Sequence, residues 1–166
     1  AEGDGIFVSS DKEITFDFGG FTYTVNGNLV GSAGSETQGM HLEKGAKVTL
    51  KDGKLVAGEN VKMLVQNYCD LTLDNFDLDT NGKSIYALSN NCGNILITGD
   101  SDITSAAAAF DLWYNHGKGY PEGVRVSVWG VFSALPLMKT SQVQLSVISN
   151  TVQKIPQRTG QKKQLL

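Results

Sequence analysis

Two short apolar alternations, separated by a polar or glycine-containing corner, return along this chain about once every two dozen residues. They are clearest in Ile14-Thr-Phe-Asp-Phe18, Val48-Thr-Leu-Lys-Asp-Gly-Lys-Leu-Val56, Leu71-Thr-Leu-Asp-Asn-Phe-Asp-Leu78 and Ile95-Leu-Ile-Thr-Gly-Asp-Ser-Asp-Ile103. The anchors Val48, Leu71 and Ile95 are almost evenly spaced along the chain. Such a period marks a repeat architecture, in which each unit buries its apolar face only by stacking on its neighbours.

A second alternation precedes each anchor: Phe7-Val8, Met40-His-Leu42, Met63-Leu-Val65, Tyr86-Ala-Leu88 and Phe110-Asp-Leu112. The step from Leu42 to Val48 equals the step from Val65 to Leu71, so strand, corner and second strand recur in register. Side chains on a strand alternate faces, which points Val48/Leu50, Leu71/Leu73 and Ile95/Ile97 inward and Thr49, Thr72, Leu96 and Lys51 outward. Stacking like on like predicts an aliphatic ladder inside a parallel β-helix. Gly19-Gly20, Asp52-Gly53, Asn75 and Gly99-Asp100 all fall just after the anchor strand, where a corner with positive φ selects Gly, Asn and Asp.

Composition agrees. Nineteen glycines against three prolines fit tight corners, and 40% hydrophobic residues over 166 positions suffice for one domain with a core. No apolar run approaches the roughly 18 to 20 residues that span a bilayer, so no membrane insertion is expected. Cys69 and Cys92 occupy equivalent corners, which leaves two readings: stacked buried thiols, or a disulfide between adjacent rungs. The interval from Ile14 to Val48 is longer than those that follow it, and its surplus, residues 26–38, reads as a projecting loop. A second excursion spans residues 113–122, ahead of a strand ending at Val128.

The tail departs from this pattern. Residues 1–122 hold all 17 acidic side chains and eight of the 14 basic ones, a balance of −9, while the remaining residues carry six bases and no acid, +6. The bases are diluted by Gln, Ser, Thr and Val with no aromatic after Phe132, so nucleic acid is not an expected partner. The chain therefore divides into a β-helix repeat domain, 1–128, and an atypical tail, 129–166. One expectation is that this tail is translated out of frame. Codons exist for which a one-base shift turns Leu145 to Leu166 into AVGDIEYGAENPAANWTEKAAP, an acidic text like that of residues 1–122.

Residues 3–128 resemble a group of small β-helix repeat proteins, pectate-lyase-like and mostly uncharacterised, from gut bacteria and their phages. The resemblance is carried by Asp4-Gly-Ile-Phe-Val8, Ile14-Thr-Phe-Asp-Phe-Gly-Gly-Phe-Thr-Tyr23, Gln66-Asn-Tyr-Cys-Asp-Leu-Thr-Leu73, Leu88-Ser-Asn-Asn91 and Phe110-Asp-Leu-Trp-Tyr114. Relatives continue with text similar to the shifted frame. The resemblance implies a right-handed parallel β-helix and supplies no catalytic residues. Together with the repeats and the glycine-rich composition, the fold expected is all-β, a right-handed parallel β-helix of about five rungs with an irregular C-terminal tail.

Three sets of residues are candidates for chemistry. Asp77, Asp79, Asp100 and Asp102 fall on adjacent rungs, and such carboxylates make either a Ca²⁺ site or a solvated acidic stripe; no other cofactor is expected. Joined by Asp74, they also offer the paired carboxylates of glycoside hydrolysis. Trp113, Tyr114, Asn115, His116 and Tyr120 make either a carbohydrate platform or an aromatic plug on the last rung. His41, between Met40 and Leu42, is expected to point outward. The favoured reading is a non-enzymatic structural or adhesive module of a phage virion or bacterial surface, with a surface glycan or virion proteins as partners. The alternative is a carbohydrate-active β-helix enzyme, a polysaccharide lyase or glycoside hydrolase.

Overall fold

A computed structural model describes residues 1–113, 125–135, 139–140 and 144–147. The strands are β1 (Glu2–Gly3), β2 (Ile6–Val8), β3 (Glu13–Asp17), β4 (Thr22–Val25), β5 (Gln38–Leu42), β6 (Lys47–Ala57), β7 (Met63–Asn67), β8 (Asp70–Asp79), β9 (Tyr86–Asn91), β10 (Asn94–Thr104), β11 (Ala108–Trp113), β12 (Arg125–Leu135), β13 (Lys139–Thr140) and β14 (Gln144–Val147). The described residues include no helix. One sheet runs β1-β4-β6-β8-β10-β12-β14, with β3 also pairing β6, and the other runs β13-β11-β9-β7-β5-β2. Neither closes on itself, and from β5 onward the chain passes from one sheet to the other at every strand.

All pairings between these strands are parallel, as the two-dozen-residue period requires, because a strand meets its equivalent in the next repeat and not its neighbour in sequence. In the first sheet Ile14, Val48, Leu71, Ile95 and Val126 form one column and Phe16, Leu50, Leu73, Ile97 and Val128 the next. From Val48 to Val128 every member of both columns is at most 2% exposed. Burying each such side chain stabilises the fold by about 1.5–3 kcal/mol. Thr49, Thr72 and Leu96 alternate with them and stay half-buried. In the second sheet Met40, Val65, Leu88 and Phe110 share a column, and all are buried.

The long strands β6, β8 and β10 each turn a corner at stacked residues of positive φ, namely Asp52 (51°), Asn75 (50°) and Gly99 (68°). Gly19 (58°) and Gly20 (83°) serve the preceding rung. The corner residues hold one another: Asn75 Oδ1 accepts the Asp100 amide at 3.0 Å, and Asn75 Nδ2 donates to Asp52 Oδ1 at 3.4 Å.

Between β4 and β5 the chain makes the longer excursion expected from the repeat interval, closed by an antiparallel bridge from Val30 to Gln38 and exposed along most of its length. Strand pairing continues past Val128: β12 follows β10 as far as Thr104↔Leu135, and β14 sets Leu145 beside Val126 and Val147 beside Val128. Residues 148–166 lie outside the described part of the chain.

Candidate functional site

Beyond the corner, the outward residues of β6, β8 and β10 frame an open groove of about 730 Å³. Alternation places Lys54, Asp77 and Asp102 on the outer face, opposite the buried Leu55, Leu78 and Ile103. Gly20, Thr22, Asp52, Gly53, Asn75, Asp100 and Ser101 complete its walls. Of the acidic residues picked out from the sequence, Asp77, Asp100 and Asp102 thus come together.

Asp79 does not join them. Its carboxylate faces Lys54 Nζ at 2.8 Å and accepts the Asn81 amide at 2.8 Å. Burial raises its pKa, but the Lys54 and Asn81 bonds outweigh burial and leave it below the usual carboxylate value. Asp74 lies before the corner, accepting from Thr98 Oγ1 at 2.9 Å. Within the groove Asp77 Oδ1 accepts the Asp102 amide at 2.9 Å, so one of its oxygens already serves the backbone ladder. Among the described residues no three or more His, Cys, Asp or Glu side chains are arranged to hold a metal ion. The groove presents carboxylates, amide groups, hydroxyls and one ammonium, a surface suited to polar hydrogen-bonding ligands.

Trp113 ends β11 beside Asn91 and is 46% exposed. Tyr114, Asn115, His116 and Tyr120, the rest of the proposed aromatic platform, lie outside the described residues.

His41, expected to point outward, alternates with the core residues Met40 and Leu42 and lies in line with the half-exposed Phe7, yet it is only 2% exposed. The Phe7 ring stacks on it at 5.3 Å and the Tyr68 ring lies 5.5 Å away, while Nδ1 meets Gln66 Oε1 at 2.8 Å and Nε2 meets Glu43 Oε1 at 2.9 Å. Phe7, His41 and Gln66 share a register position on successive strands, and the large flanking rings cover the imidazole. Alternation along one strand carries no information about such lateral cover.

The corner that follows the second sheet holds a polar cluster inside the core. Leu42, Asn67, Asn90 and Leu112 form one column, all but fully buried. Asn67 Nδ2 donates to Asn90 Oδ1 at 2.7 Å, the Cys69 amide donates to Asn67 Oδ1 at 3.1 Å, and Asn90 Nδ2 donates to the Gly93 carbonyl at 2.8 Å. The two amides satisfy each other and the corner backbone, which is the condition for placing them in an apolar column. Apolar periodicity does not single out this pair; its trace in the sequence is an Asn at the end of both Gln66-Asn67 and Ser89-Asn90, one repeat apart. Cys69 and Cys92 are both buried and form no disulfide. Burial, followed by the nearby Asp70 charge, pushes the Cys69 thiol up to about 12, so it is a poor nucleophile near neutral pH.

No helix among the described residues is long and apolar enough to cross a membrane. Comparison with protein-family models, with curated proteins and with solved structures returns no match to the chain.

Proposed function

We propose that the chain is a right-handed parallel β-helix acting as a non-enzymatic structural or adhesive module, one that displays its loops on a phage particle or bacterial surface. The observation that carries this reading is the in-register column system of the first sheet, where Val48, Leu71, Ile95 and Val126 stack without interruption. A ladder of that kind commits its interior to packing and leaves recognition to outer faces and loops, as in repeat proteins generally. The excursion between β4 and β5, the exposed Trp113 and the acidic groove are the surfaces available for a glycan or a virion protein. The resemblance to small pectate-lyase-like repeat proteins supports the same reading by analogy of fold.

One observation favours the second reading, a carbohydrate-active enzyme: the groove combines Asp77, Asp100 and Asp102 with Lys54, the only basic residue on its walls among the described residues. Against a lyase step at this place, Lys54 Nζ is held by Asp79 at 2.8 Å. The carboxylates do not converge on a common point, so no step is assigned to bound Ca²⁺. A glycan array read with and without Ca²⁺, followed by product analysis on every hit, separates the readings. Binding without products is the expected result for an adhesive module, whereas turnover that is lost in Asp77→Asn and Asp102→Asn would establish the enzyme.

A further inference from the structure

The outward positions of the first sheet follow a charge rule. Strand β8 carries Asp70 and Asp74 at either end of an Asp-Leu-Thr-Leu-Asp run, and both of its neighbours answer with donors. On one side Lys47 and Lys51 of β6 stand opposite the two aspartates. On the other, Asn94 Nδ2 donates to Asp70 Oδ1 and Thr98 Oγ1 donates to Asp74 Oδ1, each at 2.9 Å. Strand β3 repeats the acidic pattern as Glu13-Ile-Thr-Phe-Asp17, and β6 sets bases along one side of it, Glu13 lying opposite Lys47 and Asp17 opposite Lys51. Lys51 Nζ reaches Asp17 Oδ2 at 3.2 Å. The other side of β3 has no strand among the described residues.

That open side has the marks of an unfilled rung. Glu13, Thr15 and Asp17 are exposed, and Ile14 and Phe16 are only half-buried, although their column-mates Val48 and Leu50 are 2% and 0% exposed. Beside them an open depression of about 470 Å³ is lined by Ile6, Phe16, Phe18, Phe21 and Tyr23, and Phe21 is 74% exposed. Strand edges with free backbone groups pair with added strands, and like charges placed opposite each other oppose pairing. A second copy of β3 is therefore excluded, since its Glu and Asp would meet Glu13 and Asp17 in either direction.

We propose that the open edge of β3 docks an extended strand of a partner protein with the pattern basic–apolar–Thr–apolar–basic, the complement that β6 already presents on the other side. Backbone pairing supplies the attachment, the two apolar residues extend the Ile14 and Phe16 columns, and the terminal bases neutralise Glu13 and Asp17.

The test uses the isotope-labelled full chain and two blocked peptides, GKVTLKG and GDVTLDG, followed by amide chemical shifts. The lysine peptide is expected to shift the amides of residues 13–17 and to bind at least about tenfold more tightly than the aspartate peptide, a preference that shrinks as salt is raised. The preference should fall to within about threefold in the Glu13→Gln/Asp17→Asn double variant, which keeps the Asp17 position able to accept the Gly19 amide. Shifts confined to other residues, equal binding of both peptides, or a preference indifferent to salt would overturn the proposal. The salt series on the native chain decides the matter even if the double variant does not fold.

Discussion

At Gly99 the backbone takes a φ of 68°, and a Cβ there would run into Asn75 Oδ1, the oxygen that accepts the Asp100 amide. Gly82 has the same φ of 68° but open space around the position of its missing Cβ. The pair separates two costs that usually travel together. Gly82→Ala is expected to destabilise by about 1–2 kcal/mol through the left-handed backbone alone. Gly99→Ala adds the displacement of Asn75 and the loss of its bond to the Asp100 amide, for a total of about 3 kcal/mol. Urea unfolding of both variants measures the difference; equal losses would mean that the Asn75 contact contributes nothing. The corner positions were readable because Gly, Asn and Asp are the residue types that tolerate positive φ, and Asp52, Asn75 and Gly99 adopt it. The Asn67–Asn90 pair was not readable in the same way. Its meaning lies in a hydrogen bond between rungs, and an isolated Asn before a corner looks like any turn residue.

At the scale of the strand, period-two alternation decides which side chains are worth most. Leu73 is fully buried between Leu50 and Ile97, whereas its neighbour Thr72 is half-buried between Thr49 and Leu96. Leu73→Ala should cost about 2–5 kcal/mol, because the ladders above and below can collapse only partly into the space left. Thr72→Ala should cost less than about 1 kcal/mol. Comparable losses at the two positions, measured by thermal or urea unfolding, would show that the assigned faces are wrong. The acidic residues illustrate where strand-level reading stops. Asp77 and Asp79 are two residues apart and share one parity, yet Asp79 turns to Lys54 and the Asn81 amide while Asp77 faces the groove. Which of two same-faced carboxylates remains available depends on partners from other rungs, and spacing within one strand does not encode them. His41 shows the same limit, since Phe7 and Tyr68, from neighbouring rungs, bury it.

Across the whole molecule the register links residues one repeat apart, Val48 to Leu71 and Leu71 to Ile95, and brings repeats of different length into the same columns. The interval from β3 to β6 is longer than the later ones because the exposed excursion between β4 and β5 is inserted there, and pairing resumes without a shift at Ile14↔Val48. Long surface insertions of this kind add little closure entropy, about 0.6 kcal/mol per doubling of loop length, so they leave the ladder intact. Charge is organised on the same scale: Glu13/Asp17, Lys47/Lys51 and Asp70/Asp74 alternate in sign from strand to strand, and each acidic pair lies opposite donor-bearing side chains on its occupied sides. The recurring apolar pattern made the stacking legible in the sequence. The alternation of charge was present in the same letters, but it acquires meaning only when the strands are laid side by side in the observed register.

The most direct measurement of that register is the set of interstrand backbone nuclear Overhauser contacts in the isotope-labelled chain. Amide-to-Hα contacts are expected to join residues 48–50 to 71–73, and 71–73 to 95–97, in parallel order. Contacts that instead join β5 to β6 or β7 to β8 in antiparallel order, as hairpins between sequence neighbours, would contradict it.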